Sequence, residues 1–339
     1  MINENRPWSL LIASYHLIIM NVMGIAAVME LIWGGGSLQN LIQALSAFII
    51  YLHLNAKAIN LLYYEKEMRH LLNRFETLRS EFLADDKFRH HLIETESYLI
   101  KLECLYTFLL MSFPFVSLAI NMVTNYLIIS EKPHLVFQIF IPWSMKEYWP
   151  YLIGMLFSDI ISITVVIHYG AMVVLLFTIT AELSAFLKII QARLETQGML
   201  DKETYRQHVT IIQLIKKWNE IYSGQMYFEI LVSSLQPCGF GYTLIKDIST
   251  LGPGAIDLIY KSFLAVGGPF IVCACGQQVN YQIEKLHDSS YYGTWYSQNP
   301  KVRKDLLMMK AFSVQPTTIN YRRITTFNYE CFAKVIIGY

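Results

Sequence analysis

Charged residues are scarce in this chain of 339 residues, where Asp, Glu, Lys and Arg together make up 16%. Ordinary soluble domains carry about 25%. The 27 basic and 26 acidic side chains almost cancel, which leaves a net charge of +1. So weak a field excludes a protein that holds DNA or RNA by charge. Hydrophobic residues reach 54% and aromatic residues 14%, which excludes an intrinsically disordered chain.

Cysteine is also rare, and none of the five cysteines belongs to a CxxC pair. Cys273 and Cys275 are two residues apart and would point to different faces of a helix, so they cannot easily chelate one ion. We interpret the cysteines as small buried hydrophobic residues and expect no metal site. The sequence has no GxSxG, HExxH, GxxxxGK[ST] or GxGxxG motif. We therefore expect neither catalysis nor a cofactor.

Long runs with few or no charges dominate the chain. A membrane-spanning helix needs about 20 apolar residues, and seven runs approach or exceed that length. They are residues 7–29, 31–56, 104–130, 148–181, 221–245, 262–283 and 324–339. This pattern predicts an all-α membrane protein with seven transmembrane helices. The seventh run is too short to cross comfortably, so we expect a few C-terminal residues to be missing from this sequence.

The distribution of Lys and Arg predicts the orientation of these helices. Twenty-two of the 27 fall on one side, in the N-terminal tail and in the segments before spans three, five and seven, and four fall on the other side. Basic residues accumulate in cytoplasmic segments. We therefore expect a cytoplasmic N-terminus and, after seven crossings, an extracellular C-terminus. This orientation is the reverse of that of a G-protein-coupled receptor.

Two cytoplasmic segments carry apolar stripes at helical spacing. The stripes consist of Leu71, Phe75, Leu78 and Phe82 in the first segment, and of Ile211, Leu214, Ile215 and Trp218 in the second. Both segments are predicted to be helices. Their apolar faces must pack, either on each other or on a neighbouring subunit.

Polar residues inside the spans are costly in lipid and tend to face protein or water. Asp159 lies about three turns into span four, where it either lines a ligand cavity or bonds to a neighbouring span. Glu330 and Lys334 are four residues apart and share one face of span seven. That face lines a pore or lies buried in a helix bundle. Pro114, Pro237 and Pro269 are expected to kink their helices.

The C-terminal third resembles the insect odorant receptor family. The resemblance rests on CACGQQVN at 273–280, SSYYGTWY at 289–296, KDLLMMKA at 304–311 and the entry into the last span from residue 316. YSGQMYF at 222–228 is similar to the start of the fifth span of the family, and FIPW at 140–143 is similar to the loop before its fourth. Together these similarities cover most of residues 40–339.

The resemblance implies a subunit of an odorant-gated, poorly selective cation channel. Members form heterotetramers with a shared co-receptor around a pore lined by the seventh helix, which assigns Glu330 and Lys334 to the pore. Trp218 and Trp295 fall in the segments that form the anchor between subunits. The short segment between spans four and five resembles an odorant-tuning subunit rather than the co-receptor. The implied location is the plasma membrane of a sensory neuron dendrite.

Four regions follow from these expectations. Residues 1–180 hold transmembrane helices one to four with a ligand pocket in their outer half. Residues 181–225 form cytoplasmic anchor helices, and residues 226–279 form transmembrane helices five and six. Residues 280–339 hold a further anchor helix and the incomplete pore-lining helix seven.

The family binds odorants in the outer half of the bundle, between spans two, three, four and six. At that depth this sequence offers Ala47, Phe48, Tyr51, Phe113, Val116, Ile120, Met155, Asp159, Tyr260 and Phe263. Phe113, Val116 and Ile120 are spaced to share one helix face. Such an apolar, aromatic cavity suits a small volatile organic odorant. For each of these residues the competing interpretation is ordinary helix packing.

Three other classes of protein remain as alternatives. A gustatory-receptor-type channel is related, and the region that matches its signature reads TTFNY at 325–329. A seven-helix G-protein-coupled receptor is opposed by the Lys and Arg asymmetry. A transporter or membrane enzyme is opposed by the lack of repeated halves and of a catalytic set.

Overall fold

The chain is almost entirely helical in a computed structural model. The structure describes residues 6–34, 38–127, 135–145, 147–197, 202–247, 253–292, 296, 299–314 and 318–337. The helices are α1 (Arg6–Trp33), α2 (Leu38–Tyr63), α3 (Glu65–Leu83), α4 (Arg89–Leu127), α5 (Tyr148–Gln197), α6 (Lys202–Asp247), α7 (Pro253–Tyr292), α8 (Pro300–Val314) and α9 (Tyr329–Ile337). Two short antiparallel strands, β1 (Asn320–Tyr321) and β2 (Thr325–Thr326), precede α9.

Five of the described helices are long and apolar enough to cross a membrane on their own. Their candidate spans are Ser14–Trp33, Asn40–Tyr63, Arg89–Val123, Tyr148–Glu195 and Ala255–Ser289. They lie in α1, α2, α4, α5 and α7, the helices of predicted spans one to four and six. α6, which holds predicted span five, is more polar, but its Glu229, Ser233 and Gln236 are buried in protein. α9 has nine residues, or about 14 Å.

The longest helices exceed the thickness of a bilayer. α5 has 50 residues and α6 has 46, which at 1.5 Å per residue gives about 75 and 69 Å. The hydrocarbon core is only about 30 Å thick, so both helices must continue well beyond it. α4, α6 and α7 run without interruption through Pro114, Pro237 and Pro269.

The chain divides into two compact units. Unit 1 consists of Met1–Ile59, Tyr106–Val173 and Leu231–Gly268. Its core gathers apolar side chains from α1, α2, α4 and α5 and from the segment 135–139, which connects α4 to α5. The backbone N–H of Phe140 donates to the carbonyl of Ala26 at 3.0 Å, which ties this connection to α1.

Unit 2 consists of Asn60–Leu105, Val174–Ile230 and Pro269–Tyr339. Every residue of the two predicted stripes is buried there. The ring of Phe186 in α5 lies 6.0 Å from that of Phe75 and 5.2 Å from that of Phe82. The first stripe therefore packs within its own chain. Around this core, Arg193 donates to Asp85 at 2.8 Å and to Gln207 at 2.6 Å.

Candidate functional site

An aromatic cluster joins α4 and α7 in unit 1. The ring of Phe113 in α4 lies 5.8 Å from that of Tyr260 in α7 and 6.4 Å from that of Phe137. Phe113 and Phe137 are buried, and Tyr260 is half-buried against the same core. These separations are typical of favourable aromatic pairs. We call Phe113, Phe137 and Tyr260 the aromatic cluster.

The hydroxyl of Tyr260 is held by the backbone of α4. It donates to the carbonyl of Leu109 at 2.7 Å and lies 2.8 Å from the hydroxyl of Ser112. A buried tyrosine needs such a partner for its polar end. The ring of Tyr260 is therefore fixed beside Phe113 by a polar contact as well as by packing.

Phe137 belongs to a buried loop that sequence reasoning missed. Leu135, Val136, Phe137 and Ile139 are all buried, although they lie outside any helix. The N–H of Phe137 donates to the hydroxyl of Ser158 in α5 at 3.3 Å. The available signal was composition, because residues 135–143 read LVFQIFIPW. A connection so apolar is atypical of a solvated loop.

Four more of the predicted ligand residues lie in or beside the same core. Ala47 and Met155 are buried in it, and Phe48 packs against it. Tyr51 is half-buried, with its ring 5.9 Å from that of Phe48 and its hydroxyl donating to Asn21 at 3.3 Å. The structure thus brings residues from predicted spans two, three, four and six to one core. Their contact with a ligand stays a prediction.

Other predicted ligand residues lie elsewhere. Val116 is 40% exposed and Phe263 is 61% exposed, so both point away from the core of their unit. Ile120 is half-buried. The shared face predicted for Phe113, Val116 and Ile120 is therefore not buried as a whole. Residues three apart on a helix do not point in the same direction. One can therefore be buried and the other exposed when only one edge of the helix face meets the core.

Asp159 is buried in α5, one turn beyond Met155. Among the residues that the structure describes, none forms a hydrogen bond with its Oδ1 atom. A polar atom without a hydrogen-bond partner in an apolar interior is costly. Asp159 therefore retains an unused acceptor inside unit 1, one turn of α5 from the core residue Met155.

A buried ion pair in α7 was not predicted. Lys261 lies 2.5 Å from Asp257, and the hydroxyl of Ser117 in α4 donates to the other oxygen of that carboxylate. Ser117 and Asp257 are buried, and 11% of the Lys261 side chain is exposed. The predicted sixth span begins at residue 262, after these two charges. The i, i+4 spacing of opposite charges was a signal that they can enter a bilayer as a pair.

The predicted pore residues lie on the exposed face of α9. The ammonium of Lys334 is 2.8 Å from the carboxylate of Glu330, and the two side chains are 61% and 70% exposed. The opposite face of α9 packs on α7. There the ring of Phe332 lies 5.3 Å from that of Phe270, and Cys331 is buried.

A tight hairpin leads into α9. The N–H of Ile324 donates to the carbonyl of Tyr321 at 2.8 Å, and the two residues between them, Arg322 and Arg323, have φ values of 49° and 61°. This is a type I′ turn, which normally carries Asn or Gly. The ring of Tyr321 stacks on that of Tyr227 in α6 at 4.5 Å. The hairpin is thus bound to α6 despite a strained turn.

The structure describes one of the two predicted anchor residues. Trp218 is fully buried in unit 2, where it stacks on Tyr222 with 3.7 Å between ring centroids. Its side chain therefore belongs to the core of the segment predicted to form the anchor, and its role in subunit assembly stays a prediction. Trp295 lies outside the described residues.

Comparison with known proteins identifies the family. The sequence model described as 7tm Odorant receptor matches residues 37–337. Odorant receptor 47a of Drosophila melanogaster is 25% identical over 177 residues, which are 49% of this chain and 44% of that receptor. The match thus spans less than half of the length of that relative.

Solved structures share the fold. The insect olfactory receptor OR5 from Machilis hrabei, determined alone and in complex with eugenol, aligns with TM-scores of 0.72 and 0.76. The sequence identities are 14% and 13%, and each alignment covers 96% of this chain and 85% of the other. The match to the family model and this likeness of fold together confirm the predicted fold class, an all-α, seven-helix membrane protein. The chain belongs to the 7tm odorant receptor family, which is a family of receptors and not of enzymes.

Proposed function

We propose that this chain is the odorant-tuning subunit of a heteromeric, ligand-gated, non-selective cation channel. The strongest support is the aromatic cluster in unit 1, because it combines a large apolar contact area with few polar groups. Burial of apolar surface is worth about 25 cal/mol per Å², which suits a small volatile ligand. The receptor OR5, which has the same fold, was solved with eugenol bound.

In this proposal the ligand lies among side chains contributed by α2, α4, α5 and α7. Phe113 and Tyr260 supply aromatic surface, and Met155 supplies a polarizable, adaptable wall. Asp159 supplies a hydrogen-bond acceptor for ligands that carry a hydroxyl or amino group. Since the rings of the cluster already contact one another, a ligand between them has to shift their rotamers. The shifted rings push α4 and α7 apart, and this movement of the two helices is the proposed first step of activation.

The pore belongs to α9 in this proposal. Its exposed Glu330–Lys334 face meets water when four subunits assemble around a common axis. The connection between α5 and α6 is short, from Gln197 to Lys202, as expected from the resemblance to an odorant-tuning subunit. The co-receptor is therefore the proposed partner, and the plasma membrane of the dendrite is the proposed location.

Current recording tests this function. Cells expressing the full chain with the co-receptor should conduct cations when a panel of volatiles is applied. Cells expressing either protein without the other should give no current that depends on this chain. Currents that vanish when G-protein signalling is blocked would favour a metabotropic receptor instead. Responses to water-soluble tastants in the absence of the co-receptor would favour a gustatory-type channel.

A further inference from the structure

The ion pair between Asp257 and Lys261 lies one helical turn from the aromatic cluster. Ser117 follows Phe113 by four residues in α4, and Asp257 precedes Tyr260 by three residues in α7. The contacts Phe113–Tyr260 and Ser117–Asp257 therefore form successive layers of one helix–helix interface. We propose that Lys261 is a ligand-contacting residue that selects volatiles with an acceptor oxygen, such as ketones, over hydrocarbons. This inference rests on the proposed odorant-binding function.

The helical register directs Lys261 toward the core of unit 1. Asp257, Tyr260, Lys261 and Leu264 are spaced i, i+3, i+4 and i+7, which is one face of a helix. Two members of that face, Tyr260 and Leu264, pack against the core that contains Phe113. Ile259, which is not in the set, is 55% exposed. Lys261 thus shares its face with residues of the candidate site.

The burial of Lys261 is costly and calls for an explanation. A lysine near a membrane surface normally extends its ammonium group to water, yet only 11% of this side chain is exposed. A buried ion pair does not in general stabilise a fold more than apolar residues of the same size would. Stability alone therefore gives little reason to place this pair inside the bundle.

The ammonium group of Lys261 also has more N–H donors than it uses within the described residues. It carries three N–H bonds, and within the described part of the chain Asp257 is its one hydrogen-bonding partner. Both oxygens of Asp257 are occupied, one by Lys261 and the other by Ser117. A ligand that approaches this layer therefore meets N–H donors of Lys261 beside a carboxylate whose two oxygens each already have a partner. A carbonyl or ester oxygen satisfies that environment, and a hydrocarbon does not.

The test compares ketones and alkanes of equal chain length on the chain co-expressed with its co-receptor. The wild-type complex should respond to the ketones at lower concentrations. The double variant Asp257→Asn/Lys261→Met removes both charges, so that no unpaired charge stays buried. Since a hydrogen bond to a charged group is lost, its sensitivity to ketones should fall about ten- to a hundredfold. Its sensitivity to alkanes should not change.

Two further variants control for packing. Lys261→Arg keeps a charged donor and should retain the preference for ketones. Ile259→Met places a methionine on the exposed face of the same helix and should leave every response unchanged. Surface expression is measured for each variant.

The outcomes separate this inference from the proposed function. If the wild type responds equally to ketones and alkanes, or if the double variant keeps the preference for ketones, the inference is wrong and the odorant-binding function stands. If no volatile in a broad panel activates the wild-type complex, the proposed function fails and the inference fails with it.

Discussion

Phe113 illustrates how one residue can link packing to recognition. Its ring contacts both Tyr260 and Phe137, and these neighbours come from α7 and from the buried loop. Removal of this ring would take away the shared neighbour of two elements far apart in sequence. A ligand in the same place would use the same apolar surface.

We predict that Phe113→Ala lowers the apparent affinity for small odorants about ten- to a hundredfold, because a fully buried aromatic side chain contributes about 1.5–3 kcal/mol. Bulkier odorants should lose less, since they can fill the vacated space. Dose–response curves for odorants of rising chain length measure this difference. Phe108→Ala removes a 70% exposed ring from the same helix and serves as the control. Equal shifts for all odorants would point to folding or gating instead.

His208 in α6 is a titratable residue with a consequence for stability. It is buried in unit 2, and burial lowers its pKa from 6.5 to about 4. Between these two values the unfolded chain binds a proton that the folded chain does not. Acidification through that range therefore favours unfolding, and the contribution is lost progressively as the pH falls from 6.5 toward 4.

We predict that the thermal midpoint of the purified protein decreases as the pH is lowered from 6.5 to 4. The substitution His208→Asn should weaken this dependence of the midpoint on pH. The full effect is of the order of 3 kcal/mol at about 1.4 kcal/mol per pKa unit. The exposed His70, changed to Asn, is the matched control. An unchanged slope in His208→Asn would show that other groups dominate the acid sensitivity.

At the scale of elements, the hairpin before α9 depends on a close approach to α7. A β-carbon at Gly276 would clash with the carbonyl oxygen and the side chain of Phe327. The N–H of Ile319 donates to Asn280 in α7 at 3.0 Å, and Asn328 caps α9 by accepting from the N–H of Cys331 at 2.8 Å. The start of the proposed pore helix is thus fixed by contacts around Gly276.

We predict that Gly276→Ala destabilises this docking by about 1–3 kcal/mol, the usual cost of overpacking. The variant should show a lower thermal midpoint and reduced current for every odorant. Gly241→Ala is the control, because a β-carbon there meets no atom within 4 Å and alanine favours a helix interior. Normal stability in Gly276→Ala would mean that the hairpin can shift without cost.

α6 contributes Trp218 to the core of unit 2. Since this side chain is fully buried, we predict that Trp218→Ala costs about 3–5 kcal/mol of stability. Recovery of folded complex and current should fall in proportion for all odorants, as measured by size-exclusion chromatography and recording. Trp149→Ala removes a 70% exposed ring and should have little effect. A Trp218 variant that assembles normally but ranks odorants differently would contradict this role.

At the scale of the whole molecule, the predicted orientation follows from the split of 22 to 4 basic residues between the two sides. We predict that an epitope tag at the N-terminus is reached by antibody only after cells are permeabilised. A tag inserted between α4 and α5, on the side predicted to be extracellular, is the positive control on intact cells. Staining of the N-terminal tag on intact cells would overturn the topology and the channel proposal with it.

The sequence by itself was sufficient for the fold class and for the order of the long apolar helices, because hydrophobic length is a local property. It also predicted the buried stripes of α3 and α6, since helical periodicity defines which residues share a face. Helix ends were less predictable. α1 continues past Glu30 to Trp33, and α7 begins at Pro253, before Lys261, whereas these two charges bounded the predicted spans.

Only the tertiary structure determined which residues of each helix face pack against a neighbouring element. Periodicity groups Phe113 with Val116, but only packing shows that the first is buried and the second exposed. Composition marked residues 135–143 as apolar, yet their place in the core depends on contacts with α1 and α5. Ser117 and Asp257 are 140 residues apart. Such pairings depend on how distant segments fold together, and no local pattern in the chain encodes them.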